Sequence, residues 1–89
     1  MKSHLTSTFR SLFSKLPTRV QTQAKKNYKL WVHNRNHPSL DFKRVHPEQE
    51  IYSIRVGLGW RALGVRDRGV IVWFWIGSHA EYNKMVTRS

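Results

Sequence analysis

Apolar residues fall into two patterns along this chain. Up to about residue 34 they recur at helical spacing, and from about residue 51 they alternate or run together. In the first stretch Leu5, Phe9, Leu12, Phe13 and Leu16 share a helical face, with Thr6 or Ser7 available as N-cap, which predicts a helix over 6–16. Pro17 ends that helix and can open the next, because a first-turn position needs no amide hydrogen. Val20, Ala24, Tyr28 and Trp31 then line one face of a second helix from 18 to 33 or 34, and Lys25, Lys26 and Lys29 project from its far side. Pro38 forbids continuation, so Asn34, Asn36 and Ser39 read as loop.

The second pattern predicts a sheet. Leu40, Phe42 and Val45 alternate with polar residues only loosely, as an extended approach segment, and 46–50 is a polar turn. Three strand-like runs follow, 51–56, 60–66 and 70–76, separated by Gly57-Leu-Gly59 and Asp67-Arg-Gly69, both short enough for hairpins. The last run, Val70-Ile-Val-Trp-Phe-Trp-Ile76, is too short to cross a membrane, where about 20 residues are needed. Strict alternation places Val70, Val72, Phe74 and Ile76 on one side and Ile71, Trp73 and Trp75 on the other. Both faces are apolar, so this strand belongs in the interior of a sheet. Residues 2–5 can add a short edge strand. Ser78-His-Ala-Glu81 has the Ser-x-x-Glu pattern of a capping box, which predicts a closing helix to about residue 87. The expected fold is α+β: an N-terminal αα-hairpin packed on a small antiparallel sheet, a meander of three to four strands, with a short C-terminal helix.

Composition narrows the function classes. Eighty-nine residues, 39 % apolar and 12 % aromatic, make one globular domain over 1–89. Sixteen Lys and Arg against five Asp and Glu give a net charge of +11, which points to a polyanion partner such as RNA, DNA or an acidic protein. Cysteine is absent, so there is neither a disulfide framework nor thiolate chemistry. The N-terminal residues lack the continuous apolar core of a signal peptide, and a cytoplasmic location is expected.

Candidate chemistry concentrates near the C-terminus. His79 and Tyr82 are three apart, which sets them side by side on the first turn of the closing helix. They can form a catalytic pair, or be a surface histidine and an aromatic packed on Trp73 or Trp75. Ser78 and Glu81 are assigned to the cap. Arg55 and Arg61 lie within or beside strands, and with Lys43 and Arg44 can form a phosphate-binding face. His33 and His37 have the interval of a metal pair, but Pro38 takes His37 out of a helix and no third ligand is evident, so no metal is expected.

Leu16-Pro17, Val20-Gln21, Ala24, His37-Pro-Ser-Leu40, Phe42-Lys43, Tyr52-Ser-Ile-Arg55, Trp60-Arg-Ala-Leu63 and Trp73-Phe-Trp-Ile-Gly-Ser-His-Ala-Glu-Tyr82 together resemble the RelE/ParE superfamily, the toxins of bacterial type II toxin–antitoxin systems. The resemblance runs from about residue 6 to 86. It implies a single toxin domain bound by a cognate antitoxin, often acidic and partly disordered until bound. It also implies one of two activities: a metal-independent endoribonuclease that cuts mRNA on the ribosome without a cofactor, or a ParE-like poison of DNA gyrase acting by protein contact. A basic RNA-binding domain without catalysis is a third reading. The joint presence of Arg61, His79 and Tyr82 favours the endoribonuclease, since a contact poison needs no such set. On that reading Arg61 holds the scissile phosphate, His79 is general acid or base, and Tyr82 orients the 2′-hydroxyl or assists proton transfer. Lys43, Arg44 and Arg55 supply phosphate contacts, and Lys25, Lys26 and Lys29 a broader ribosomal RNA surface. The chain departs from RelE, which uses a lysine pair and a further C-terminal arginine; here the local pair is Lys43-Arg44 and the only later arginine is Arg88. It departs from YoeB-like enzymes too, because Ala80-Glu81 separates His79 from Tyr82, and Glu48, Glu50 or Glu81 has to serve as the base.

Overall fold

A computed structural model describes residues 2–88; the Arg88 side chain lies outside what is described. The order of elements is β1 (Lys2–Leu5), α1 (Ser7–Ser14), α2 (Thr18–His33), a 3-10 turn (Pro38–Leu40), β2 (Lys43–Arg44), β3 (Ile51–Arg55), β4 (Trp60–Asp67), β5 (Val70–Ser78) and α3 (His79–Arg88). The five strands form one sheet in the order β1-β5-β4-β3-β2, antiparallel throughout except that β1 runs parallel to β5. The sheet is therefore mixed, not purely antiparallel. The N-terminal edge strand covers what would otherwise be an exposed edge of the most apolar strand in the chain.

Thr6 caps α1 by accepting from the Phe9 amide at 3.0 Å. The helix stops at Ser14, before the predicted residue 16: its last turn tightens, with the Lys15 and Leu16 amides donating to the Leu12 and Phe13 carbonyls, and Pro17 has no amide hydrogen to carry the helix on. α2 has its predicted bounds. The helical pair differs from a closed hairpin: α1 and α2 leave an apolar groove of about 580 Å³ between them, floored by Ile54, Ala62, Trp73 and Ile76 of the sheet. The Ser3 and Tyr28 hydroxyls hydrogen-bond across one side of it.

The core lies between this helical layer and one face of the sheet. Trp31 of α2 is its centre, 2 % exposed, with Trp73 and Phe42 meeting it edge-on at 5.6 and 5.8 Å. Strict alternation along β5 fails. Leu63 pairs with Trp75 but Gly64 pairs with Trp73, so Phe74 is the extra residue of a bulge. Past it the pattern inverts, and Ile76 joins Ile71 and Trp73 in the core. Gly64 permits this packing, since a Cβ there would lie 2.8 Å from Trp73 Cε3 and 2.9 Å from Ile71 Cγ1.

The approach segment is extended only in part: Lys43–Arg44 form β2, but the residues before them turn. His37 Nδ1 accepts from the Ser39 amide at 3.2 Å, the 3-10 turn buries Leu40 completely, and Asp41 takes a left-handed conformation at φ 44°. Aspartate tolerates that region better than most residues. Among the described residues no helix is long and apolar enough to cross a membrane.

Candidate functional site

The sheet face turned away from α1 and α2 carries the polar chemistry. Register sets Arg55 opposite Arg61, with Gly77 on the next strand, and Lys43 opposite Ser53. Two arginines directly across from one another repel unless an anion lies between them. Asp41 provides it. Its Oδ2 is 3.2 Å from Arg61 Nη1, 3.4 Å from Lys43 Nζ and 3.8 Å from Arg55 Nη2. Arg61 also donates from Nη2 to the Asp41 carbonyl at 3.0 Å and from Nε to Ser53 Oγ at 2.5 Å. Its side chain is 4 % exposed, against 54 % for Lys43 and 47 % for Arg55. Desolvation is the largest single influence on the Asp41 carboxyl and pushes its pKa up. The charges and hydrogen bonds of Lys43 and Arg61 together outweigh it, so the pKa is lowered.

α3 closes one end of this face. Its capping box forms as expected: the Glu81 amide donates to Ser78 Oγ at 3.2 Å, and the Ser78 amide donates back to Glu81 Oε1 at 3.3 Å. A further bond from the His79 amide to the Gly59 carbonyl, 2.7 Å, ties the start of the helix to the β3–β4 turn. Tyr82 is thereby turned inward, 7 % exposed, with its ring centroid 5.1 Å from the Arg61 guanidinium carbon, a cation–π contact. His79 stands exposed beside it, ring centroids 5.6 Å apart and nearly perpendicular. A continuous path of contact thus runs from an exposed imidazole through Tyr82 and Arg61 to Asp41, and from there to two half-exposed cations.

A family model described as a ParE-like toxin domain matches residues 18–84. The chain belongs to that family. The ParE-like match takes in every candidate site residue. The RelB–RelE antitoxin–toxin complex of Methanococcus jannaschii superposes with a TM-score of 0.72 at 16 % identity, over 91 % of this chain and 95 % of that one. YafQ of Escherichia coli gives 0.72 at 10 % identity over 91 % and 96 %, and isolated E. coli RelE gives 0.63 at 18 % over 98 % and 96 %. At these identities the likeness is one of fold. No curated protein matches the chain in sequence.

Within this ParE-like domain the expected residues separate into two groups. Arg61, His79 and Tyr82 are in contact, and Lys43 and Arg55 join them through Asp41. Arg44 turns away, opposite Tyr52 in register. It donates to the Gln49 carbonyl at 3.2 Å and pairs with Glu50 at 3.5 Å. Lys25 and Lys29 do not project from the far side of α2 as expected but flank the apolar groove on the helical side of the sheet, and Lys26 is exposed on the same helix. Of the acidic residues considered as a base, Glu81 is engaged in the cap and Glu50 accepts from the Tyr52 hydroxyl at 3.1 Å. Sequence reasoning missed Asp41 and Ser53, the two residues that hold Arg61. Asp41 carried one legible signal: it is an acid two residues from Lys43 in a chain with only five acids.

Proposed function

We propose that this ParE-like domain is the toxin of a type II toxin–antitoxin pair, acting as a metal-independent, ribosome-associated mRNA endoribonuclease. The observation that carries the reading is the contact of exposed His79 with the Tyr82–Arg61 pair, beside the half-exposed cations Lys43 and Arg55. Cleavage requires a 2′-hydroxyl to lose a proton, attack the adjacent phosphorus in line and expel a 5′-oxygen that gains one, with cations around the developing charge. Lys43 and Arg55 supply the exposed phosphate contacts. Arg61 adds fixed positive charge from beneath, and Arg44, which turns away toward Glu50, takes no part. His79 is the group placed to move a proton, since an imidazole serves as acid or base near neutral pH. Tyr82, enclosed between Arg61 and His79, orients both.

The antitoxin's place is the apolar groove between α1 and α2. Its walls include Phe9, Phe13 and Tyr28, and its rim carries Arg10, Lys25 and Lys29. An amphipathic segment with an acidic flank satisfies both features. The M. jannaschii structure and one from Mycobacterium tuberculosis, 22 % identical with a TM-score of 0.64 over 88 % of this chain and 96 % of that one, are toxin–antitoxin complexes, which supports such a partner. Lys25, Lys26 and Lys29 face ribosomal RNA once the antitoxin is gone.

Mapping mRNA 5′ ends in cells under controlled expression tests the activity. The wild type is expected to create ends at defined codon positions. His79→Ala is expected to lower their abundance by about 10²- to 10⁴-fold, the usual contribution of a general acid or base. Growth arrest without new ends, with supercoiling by gyrase inhibited, would replace this reading with the gyrase poison.

A further inference from the structure

We propose that Asp41 is an internal anion plug: its carboxylate occupies the place among Lys43, Arg55 and Arg61 that an RNA phosphodiester takes when substrate binds. The identity of the anion rests on the endoribonuclease reading, and the site itself on the geometry of the three cations. They come from three strands and converge on one oxygen, Asp41 Oδ2. One carboxylate leaves two of the three charges uncompensated, and a phosphodiester matches it in kind, with one negative charge shared over two free acceptor oxygens.

The contacts are graded in a way that suits exchange. Lys43 and Arg55 lie at 3.4 and 3.8 Å, outside the 2.7–2.9 Å range of a tight charge-assisted hydrogen bond, and both side chains are about half exposed. Arg61 needs no carboxylate to stay in position. Ser53 Oγ, the Asp41 carbonyl and the Tyr82 ring hold its guanidinium independently of that group. Rotation of the Asp41 side chain would leave all three in place and free Arg61 Nη1 toward the vacated position. The plug therefore accounts for an arginine that is buried and fully engaged in the free protein, yet stands beneath the exposed cations of the site.

The experiment measures binding of a fluorescein-labelled, 2′-O-methyl single-stranded RNA 12-mer, which cannot be cleaved. The wild type, Asp41→Asn and Asp41→Glu are compared over a series of salt concentrations. Asp41→Asn keeps the carbonyl oxygen and removes the charge. It is expected to bind roughly three- to tenfold tighter than wild type at low salt, with the log–log salt slope steeper by about 0.7 for each additional phosphate that the site engages. Asp41→Glu keeps the charge and is expected to remain near wild type. Inorganic phosphate is the second probe: millimolar additions should raise the melting temperature of Asp41→Asn more than that of wild type.

Equal or weaker RNA binding by folded Asp41→Asn overturns the plug. If that variant does not fold, the wild type still decides. Nuclear Overhauser effects between Asp41 and the Arg55 and Lys43 side chains should disappear on saturation with the 12-mer, and their persistence overturns it. Cleavage is read separately. Tighter binding with no mRNA ends in any variant would leave the plug standing and remove the endoribonuclease.

Discussion

Arg61 is one of sixteen basic residues, yet it is enclosed, and the reason lies in two short polar side chains that no periodicity singles out. Ser53 reaches it diagonally across the β3–β4 ladder, and Asp41 reaches it from the turn before β2. Ser53→Ala leaves a buried guanidinium nitrogen without its acceptor and is expected to cost about 1–3 kcal/mol, read from urea unfolding. Asp41 contributes a pH dependence. Its carboxyl pKa is lowered in the folded protein, so its stabilisation is fully present above the unfolded value of about 3.9 and is lost as pH falls through the lower folded value. The carboxylate is 34 % exposed and screened by water, so the margin of wild type over Asp41→Asn should be about 1 kcal/mol at neutral pH. The melting temperatures of both proteins should begin to converge as pH falls below about 4 and meet only below the lowered folded value, and a margin that does not change with pH would refute the assignment. At this scale the His79–Tyr82 pair was legible, because three residues along a helix fix adjacency. The Asp41–Arg61 pair was not, since twenty residues separate its members and only the sheet brings them together.

Helices were read from the chain nearly to their ends, because caps and prolines are local chemistry. Thr6, Pro17 and the Ser78–Glu81 box lie where the elements begin. Ser78→Ala should lower stability by about 1 kcal/mol through loss of the cap, and because the same turn presents His79, it should reduce cleavage as well. The strands β3, β4 and β5 were equally legible as runs. Their detailed facing was not. The bulge at Phe74 depends on Gly64 accepting Trp73 against its backbone, a contact between strands that alternation within one strand cannot reveal. Gly64→Ala tests this directly. A methyl group would press on two buried side chains with no room to yield, and we expect about 1–3 kcal/mol of destabilisation, measured by urea unfolding. Wild-type stability in that variant would mean that the ladder tolerates a different register.

At the scale of the molecule, part of the +11 charge gathers on two surfaces with different neighbours. One surrounds Asp41 on the open face of the sheet, and the other borders an apolar groove on the helical side. If the groove receives the antitoxin, the double variant Lys25→Glu, Lys29→Glu should slow its association by about tenfold at low salt. The difference should shrink as salt rises, since rim charges act mainly on the encounter rate. Equal association rates in stopped-flow would place the antitoxin elsewhere.

The amino-acid sequence by itself determined the helices, the short edge strand at 2–5, three further strands, the net positive charge and the resemblance to the superfamily. Each depends on residue types at short spacing, which local sterics and solvation translate directly into structure. Tertiary structure alone decided which basic residues meet. The same pattern of Lys and Arg reads identically whether the side chains converge or diverge. Strand register brought Lys43, Arg55 and Arg61 onto one carboxylate, turned Arg44 toward Glu50 and left Lys25 and Lys29 across the sheet. Such convergence is a property of pairing between distant segments, where charge repulsion and burial act only once the chain has closed.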